Sequence, residues 1–343
     1  MNVRRLAPVA WVALLSALIV LFIASIALGS VRLAPHRILS VLLHADGGDA
    51  TARTIVWSVR LPRTFTAIVA GAALSVSGLL MQTLFRNPLA DSSILGVSAG
   101  ASLGVAVVVL GTSSSIAVIG RYSGATAIHV TIASAIGSSL VLALVLVITQ
   151  RVESQVTVLV AGLMVATIVG AGVSLLLYFS SLDAARNFAT WSLGSFRGTT
   201  WDEVVLLAVA TSLGLTIAVA LAKNLDGLLL GDRYAMSLGM NLRLVRTLTI
   251  IAAALCTGAT TAFCGPIGFL GIAVPHLTRG VLRHGRHRVL VVGTALLGAC
   301  LALICEIVAQ WPGDDRVLPI NAITALLGGP IVLSVLLRGR RMQ

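Results

Sequence analysis

Three long stretches without a charged residue constrain this chain more than any other feature of its sequence. They cover residues 7–30, 64–84 and 156–180. A helix needs about 20 apolar residues to cross the hydrocarbon core of a bilayer. Backbone groups in lipid find no water to bond, so a crossing segment of this kind must be helical. The sequence therefore predicts an all-α membrane protein.

Composition and the remaining apolar runs extend this prediction to the whole chain. Charged residues make up 10% of the 343 residues and hydrophobic residues 57%, which leaves too few charges to cover a soluble domain of this length. The first run is longer than a signal-peptide core and no clear cleavage site follows it, so we expect it to remain a span. We predict a single transmembrane domain, 1–343, with about ten spans. They are expected at about 7–29, 64–84, 93–111, 127–149, 156–180, 204–222, 247–264, 266–282, 289–310 and 320–337. The eighth is the weakest, because its apolar stretch is short and contains Pro275.

The positive charges predict how the chain is oriented. Its net charge is +12, and most of its 24 Lys and Arg residues fall on one side when both termini are placed in the cytoplasm. The bias is strongest in the 223–246 and 279–288 loops and after residue 337. Cytoplasmic loops of membrane proteins carry such an excess. We therefore expect a multi-pass protein of the cytoplasmic membrane, in contact with lipid, with both termini inside and no nucleic-acid partner.

Enzyme motifs find little support in the sequence. Residues 96–100 match G-x-S-x-G, but they lie in an apolar segment without an evident acid partner, whereas a nucleophile elbow needs a strand-to-helix turn. Neither H-E-x-x-H nor the phosphate-binding G-x-x-x-x-G-K-[ST] occurs. The four cysteines form no Cys-x-x-Cys pair and are expected to pack as small apolar residues. We expect no catalytic residue, metal site or cofactor in this chain, and any ATP would be hydrolysed by a partner.

Ionisable residues inside the predicted spans are scarce. Glu306, His129 and His276 are the candidates. Proton-coupled carriers place such groups along their pathway, because a charge in hydrocarbon is costly and is kept only for function. The scarcity of such groups favours a transporter whose energy comes from a partner protein over a proton-coupled carrier. A secondary active transporter or a channel remains the alternative.

Three glycines of the predicted third span share one helix face. Gly96, Gly100 and Gly104 are spaced four residues apart, so their Cα atoms line up along the helix. Small residues at this spacing let two membrane helices approach closely. We expect helix packing here, and a position along a transport pathway is the alternative.

Four groups of motifs follow one another along the chain: 60–63 with Gly71, Gly78, 87–91 and 95–100; 230–239; 265–271 with 275–279; and 318–319 with 324–330. In this order they resemble the FecCD-type permeases of ABC importers for iron–siderophores, haem and vitamin B12. Each motif alone is modest. Four of them in order on a ten-span frame form a specific match that covers most of the chain.

The resemblance implies a type II ABC importer permease fold and a set of partners. A second permease subunit, identical or paralogous, would form the pathway together with this chain. Two ATPase subunits would attach on the cytoplasmic side and use ATP and Mg there. A periplasmic or lipoprotein substrate-binding protein would deliver the cargo. The cargo expected first is an iron–siderophore, ahead of haem and cobalamin.

The 223–246 segment is long for a cytoplasmic connection and is expected to form a short helix with an apolar face outside the membrane. Gly231 and Gly239 would let the chain turn at its ends. An exposed apolar face signals a partner. The resemblance makes this segment the cytoplasmic coupling loop that docks in the ATPase, and a helix lying on lipid is the alternative. The expected apolar face is Leu228, Leu229, Leu230, Ala235, Met236 and Leu238, and the coupling residues are Leu230, Gly231, Asp232, Ala235, Leu238 and Gly239.

The resemblance also implies docking of the binding protein on the outer face. Arg60 and Arg63 flank Leu-Pro just before the second predicted span, where a guanidinium could hold a carboxylate of an incoming protein. The alternative is that both arginines snorkel and anchor the helix in the membrane. The family often has another arginine at the position of Gln310, and Arg316 nearby is expected to supply that charge.

Two further motifs are expected to act as turns. Asn87 and Pro88 lie between the second and third spans, where the proline stops the helix and the asparagine can cap it. The outer-side turn begins with Gly265, whose neighbours would follow it into the eighth span. The residues expected to have a structural role there are Gly265, Pro266, Gly268, Gly271 and Pro275.

Overall fold

The computed structural model describes residues 3–29, 31, 33–43, 50–111, 124–152, 154–310 and 317–339, and over these residues it is helical with no strand. In chain order the helices are α1 Val3–Ala27, α2 Pro35–Leu43, α3 Ala50–Thr54, α4 Leu61–Leu84, α5 Val97–Gly111, α6 Gly124–Arg151, α7 Gln155–Phe179, α8 Leu182–Ser192, α9 Trp201–Ala220, α10 Ala222–Leu229, α11 Asp232–Ser237, α12 Leu242–Cys264, α13 Leu270–Leu282, α14 His287–Ala309 and α15 Ile320–Gly339. A π-helical turn, Ile55–Arg60, joins α3 to α4, and a 3₁₀ turn, Ser92–Leu95, precedes α5. The all-α prediction is confirmed for the described residues.

Seven helices of the described chain are long and apolar enough to cross a membrane. They are Pro8–Ala27, Ala50–Leu84, His129–Arg151, Val156–Phe179, Trp201–Ala220, Leu242–Cys264 and His287–Ala309. Val97–Leu110 and Ile320–Ser334 are apolar but shorter, and α13 has 13 residues with Pro275 inside it. The chain is thus a multi-pass membrane protein. The total of about ten spans and the orientation of the termini stay predictions.

The second apolar run begins earlier than the sequence indicated. The helix is continuous over Ala50–Leu84, 35 residues, whereas the span was predicted from residue 64. Pro62 has no N–H to donate to the turn before it. The π-helical turn ends at Arg60, two residues before this proline. As a result Arg60 and Arg63 lie within a long helix rather than at its tip.

Helix α4 lies at the centre of the subunit. It packs against α9, α12, α13 and α14, and most of its residues are buried. Two apolar clusters meet along its length, one that includes Leu79, Leu80 and Met81 and another that includes Ala67 and Ala70. Small residues on the same helix let its neighbours approach closely. Any movement of α4 therefore has to involve four other helices.

Side-chain caps fix where several helices begin. The Thr200 hydroxyl accepts from the backbone N–H of Glu203, whose carboxylate accepts from the backbone N–H of Thr200 at 2.8 Å, so a capping box starts α9. The Asn241 side chain accepts from the Leu244 N–H at 3.1 Å and starts α12. This second cap marks the end of the segment that connects α9 to α12.

Helices α5 and α6 cross at small residues. A Cβ added to Gly100 would lie 2.5 Å from the Gly137 carbonyl oxygen, and one added to Gly104 would overlap the Ala133 carbonyl oxygen. Gly96 lies before α5 with φ of 75°, a conformation that favours glycine. It therefore belongs to the turn, and the prediction that it shares the helix face of the other two glycines is wrong.

We predict that Gly104→Ala destabilises the subunit by about 1–3 kcal/mol, as overpacking of a filled core does. The added methyl group meets backbone on the facing helix, which cannot move aside as a side chain could. Gly170→Ala in α7 is the matched control, because no atom lies within 4 Å of its added Cβ. Thermal unfolding in detergent should show a lower midpoint for the first variant and an equal or higher one for the second. Equal midpoints for Gly104→Ala and the wild type would contradict the packing interpretation.

Introduced cysteines test the predicted orientation. Ser181 before α8 and Arg286 before α14 are exposed, while the four native cysteines are buried. In a background without the native cysteines, Ser181→Cys should react with an impermeant thiol reagent in intact cells. Arg286→Cys and Arg233→Cys should react only after the membrane is opened. Labelling of Arg286→Cys in intact cells would contradict the orientation.

Candidate functional site

Two short helices connect α9 to α12 and form the segment that the sequence assigned to coupling. Helix α10 ends at Leu229, and α11 follows as a separate helix of six residues. Gly231 has φ of 107° and Gly239 has φ of 79°, on either side of α11. L-amino acids with side chains rarely adopt these angles, so the glycines allow both turns.

The solvent-exposed side of this segment is apolar. Leu229, Leu230, Tyr234, Met236 and Leu238 are exposed by between 51% and 65% of their surface. We call these five side chains the coupling patch. A contiguous exposed apolar patch next to a membrane domain marks an interaction site.

Two residues that were expected on this apolar face point the other way. Leu228 is 1% exposed and Ala235 is 0% exposed. Leu228 belongs to the large core cluster that also contains Leu225. The expected face combined residues of two short helices, α10 and α11, and packing on the chain's own core buries one residue of each. Ala235 therefore fixes α11 to this subunit and is not part of the coupling patch.

Asp232 is held by arginines from two other parts of the chain. Its Oδ1 accepts from Arg86 Nη2 at 2.5 Å, and its Oδ2 accepts from Arg246 Nη2 at 2.9 Å. The same side of α11 borders an open cavity of about 630 Å³ that also contacts the α6–α7 turn. Arg243 crosses towards that turn and donates to the Gln150 carbonyl oxygen at 2.5 Å.

The two arginines expected to dock a binding protein are buried. Arg60 is 2% exposed and Arg63 is 3% exposed. The Arg60 guanidinium donates to the carbonyl oxygens of Ile26, at 2.6 Å, and of Ala27 and Val31. These acceptors lie at and just beyond the end of α1, so Arg60 ties α1 to α4. The expectation of an exposed positive feature here is wrong, because α3 and the π-helical turn extend the helix past both side chains.

Arg63 completes a buried polar cluster at this end of α4. Its Nε lies 2.5 Å from Glu306 Oε1 and its Nη1 donates to Gln310 Oε1 at 2.6 Å. The Ser25 hydroxyl donates to Glu306 Oε2 at 2.8 Å. The cluster links α1, α4 and α14, and we call it the Arg63 cluster. Gln310, noted in the sequence only as a departure from the family pattern, is a member of it.

A second polar contact, at the surface, joins the turn after α4 to α13. The Leu89 N–H donates to Asn87 Oδ1 at 3.0 Å, and His276 Nε2 lies 2.9 Å from the Pro88 carbonyl oxygen. Asp91 Oδ1 occupies the space that a side chain on Gly271 would need. Desolvation raises the pKa of the Asp91 carboxyl group, while hydrogen bonds from Ser92 and Ser93 act in the opposite direction. The turn expected at 87–88 is present, and its wider contacts were not evident from the sequence.

The turn before α13 is held by a residue that the sequence did not single out. Gly265 has φ of 74°, and the Asn321 amide donates to the Pro266 carbonyl oxygen at 2.6 Å. Asn321 Oδ1 also accepts from the Gly268 N–H at 3.0 Å. Asn321 therefore links the start of α15 to this turn. Its only signal in the sequence is a polar residue at the start of an apolar run.

Two expected features complete the account of the site. Arg316 lies outside the described residues. Among the residues that the structure describes, no three His, Cys, Asp or Glu side chains are grouped so that they could hold a metal ion.

Several known proteins are similar to this chain in sequence and in fold. Residues 17–338 match the model of the FecCD transport family. The hemin transport system permease protein HmuU of Yersinia pestis is 37% identical over 294 residues, which are 84% of this chain and 85% of that protein. The vitamin B12 import system permease protein BtuC of Citrobacter koseri is 33% identical over 335 residues, 97% and 95% of the two chains. A solved inward-facing ABC transporter of the metal-chelate type superposes with a TM-score of 0.83 at 26% identity, over 96% of this chain and 99% of that one.

The chain is a multi-pass helical protein with an exposed apolar patch on the segment between two of its spans. The chain belongs to the FecCD transport family. The resemblance drawn from the motifs is thereby confirmed, and the chain is a permease of the ABC transporter class.

Proposed function

We propose that this chain is the permease subunit of an ABC importer that carries an iron–siderophore into the cytoplasm. It works with a second permease subunit, two ATPase subunits and a periplasmic or lipoprotein substrate-binding protein. The observation that carries the proposal is the coupling patch, an apolar surface on the short α10–α11 segment outside the long spans. An exposed apolar surface of this kind marks a site where a partner binds.

The coupling patch fits an ATPase better than lipid. An interfacial helix lies flat, with its apolar residues on one face towards the hydrocarbon. Helix α11 has six residues and a glycine turn at each end. It is therefore too short to present the long apolar face of an interfacial helix. Its inner side is occupied by Ala235 and by the ion pairs of Asp232. In this scheme the ATPase hydrolyses ATP with Mg, and this chain passes the resulting movement to its spans.

The cargo follows from the family rather than from a ligand set in this chain. The relatives are named for hemin and for vitamin B12, and the similar structure for a metal chelate. All are large ligands that enclose their metal, so the permease has no need of protein ligands to it. Iron–siderophore is the cargo we propose, with haem and cobalamin as the two alternatives within the same site.

On the outer face, docking of the binding protein remains part of the proposal. Arg316 is the candidate for a direct contact. Arg60 and Arg63 would act indirectly, because their buried side chains hold the ends of α1, α4 and α14 together beneath the docking surface.

The cargo can be identified by mass spectrometry. The complex should be purified with its binding protein from iron-starved cells, and the ligand released by denaturation should be analysed. We expect an iron chelate with a hydroxamate or catecholate mass signature. Recovery of haem or of a cobalamin instead would replace the proposed cargo and leave the permease function intact.

A further inference from the structure

We propose that Arg86 and Asp232 form a positioning brace that fixes the coupling helix α11 to the central helix α4. The proposal rests on the proposed function, because it explains how a movement of the coupling patch reaches the spans. Asp232 was expected from the sequence to take part in contact with the ATPase. The structure instead turns its carboxylate towards the chain's own arginines.

Each oxygen of the Asp232 carboxylate has its own arginine, and the two arginines come from different helices. Arg86 follows the last turn of α4 and lies 2.5 Å from Oδ1. Arg246 lies in the first turns of α12, 2.9 Å from Oδ2. A carboxylate held from two directions has little freedom to rotate. The start of α11 is therefore fixed relative to both α4 and α12.

Arg86 holds the connection between α10 and α11 at a second point. Its Nε donates to the Leu228 carbonyl oxygen at 2.9 Å, ahead of the turn at Gly231. One guanidinium thus holds the chain on both sides of the turn. Arg86 itself has φ of 47°, which is uncommon for a residue other than glycine. Residues in such conformations are kept where the surrounding structure and the function require them.

The end of α4 also holds α10 through a second polar chain. Asp226 Oδ1 lies 2.6 Å from His287 Nδ1 and accepts from the His287 backbone N–H at 2.9 Å. His287 Nε2 lies 2.8 Å from the Thr83 hydroxyl oxygen. Thr83 and Arg86 are three residues apart at the end of α4. Both acids of the coupling segment, Asp226 and Asp232, are therefore connected to this one helix end.

The Arg86–Asp232 pair is exposed enough that it should position α11 without adding much to the free energy of unfolding. About a third of the Asp232 and Arg86 side chains is exposed, and ion pairs of this kind add little to the free energy of unfolding. Removing the pair should leave the subunit folded. What it should change is the position of α11 relative to α4, and with it the transport obtained from each ATP.

The test uses the assembled transporter with its ATPase and binding protein, reconstituted in proteoliposomes. Asp232→Asn and Arg86→Gln each remove one partner of the pair. Lys223→Gln is the matched control, because it removes an exposed positive charge from the same segment. A nitroxide label on Ser237→Cys, an exposed position of α11 outside the coupling patch, reports the mobility of α11 in a background without native cysteines. Chelate uptake per ATP hydrolysed and the thermal midpoint are measured on the same samples.

We expect both brace variants to lose roughly fivefold or more of the uptake per ATP, the lower end of usual coupling between sites. Basal ATP hydrolysis and the thermal midpoint should stay near wild type, and the label should become more mobile. Arg86→Lys should recover part of the coupling, because it keeps the charge but reaches only one acceptor. Wild-type uptake per ATP and label mobility in both brace variants would overturn the proposal, as would a matching loss in Lys223→Gln. A joint loss of ATPase, uptake and thermal midpoint would assign the pair to folding and also overturn it. Absence of ATP-dependent uptake in the wild-type complex would instead overturn the proposed function.

Discussion

Arg63→Leu should cost the subunit about 3–5 kcal/mol of its free energy of unfolding, the usual cost of breaking a buried ion pair by removing one partner. Glu306 is 2% exposed, and Arg63 is the cation that lies against it, with Nε and Oε1 2.5 Å apart. Leucine fills much of the space but leaves the carboxylate without its counter-charge. Gln310 and the carbonyl oxygen of Ser25 also lose their donor. We therefore expect loss of the folded subunit rather than a local defect in docking.

Fluorescence-detected size exclusion after heating gives the thermal midpoint of each variant. Arg63→Leu combined with Glu306→Leu should recover much of the lost stability, because it removes both charges together. Arg186→Leu, an exposed arginine in α8, is the control and should be near neutral. A single Arg63→Leu variant as stable as the wild type would show that the Arg63 cluster is not a structural element. The docking role predicted from the sequence would then regain its support.

Charges placed in the coupling patch should abolish transport without unfolding the subunit. Met236 and Leu238 are exposed, so aspartate at either position is well solvated in the free subunit. At an interface with an ATPase the same carboxylate would be desolvated without a partner. Truncating a hot-spot residue at the centre of an interface costs about 2 kcal/mol or more, which is about a 30-fold change in affinity. We expect Met236→Asp with Leu238→Asp to lose co-purification of the ATPase and all ATP-driven uptake.

Two other substitutions separate this effect from misfolding. Thr190→Asp adds a charge to an exposed position of α8 and should leave assembly unchanged. Ala235→Asp should fail for a different reason, since it buries a carboxylate under α11 and disturbs the segment itself. The thermal midpoint should fall for Ala235→Asp and stay unchanged for the patch variant. Normal assembly of Met236→Asp with Leu238→Asp would remove the coupling patch from the mechanism.

Local features of this fold could be predicted from the sequence. Long apolar runs gave the spanning helices, because a helix in lipid depends on its own hydrogen bonds and composition. The turns at Gly231 and Gly239 followed from glycine in a short polar segment. Each of these features is decided within about ten residues of chain, which is the range that helix and turn signals cover.

The polar interior could not be predicted in the same way. Arg63 and Glu306 are 243 positions apart, and each was noted separately, one as a docking residue and the other as a lone ionisable group. Which face of α11 turns inward depends on where the end of α4 lies. The same holds for Asp91 against Gly271, which are brought together by the packing of α13 on α4. Such contacts are set by the tertiary arrangement, and a single sequence carries no direct signal of it.

Uptake by this permease should depend on ATP. The complex of this permease, its ATPase and its binding protein should be reconstituted in proteoliposomes, with a ferric hydroxamate chelate, haemin or cyanocobalamin as the probe. We expect uptake of one of these probes that requires ATP and persists when ionophores remove every ion gradient. Uptake should also stop when the ATPase carries a substitution of its phosphate-binding lysine. Uptake that continues without ATP and disappears with the ion gradient would contradict ATP-driven import and identify a secondary transporter.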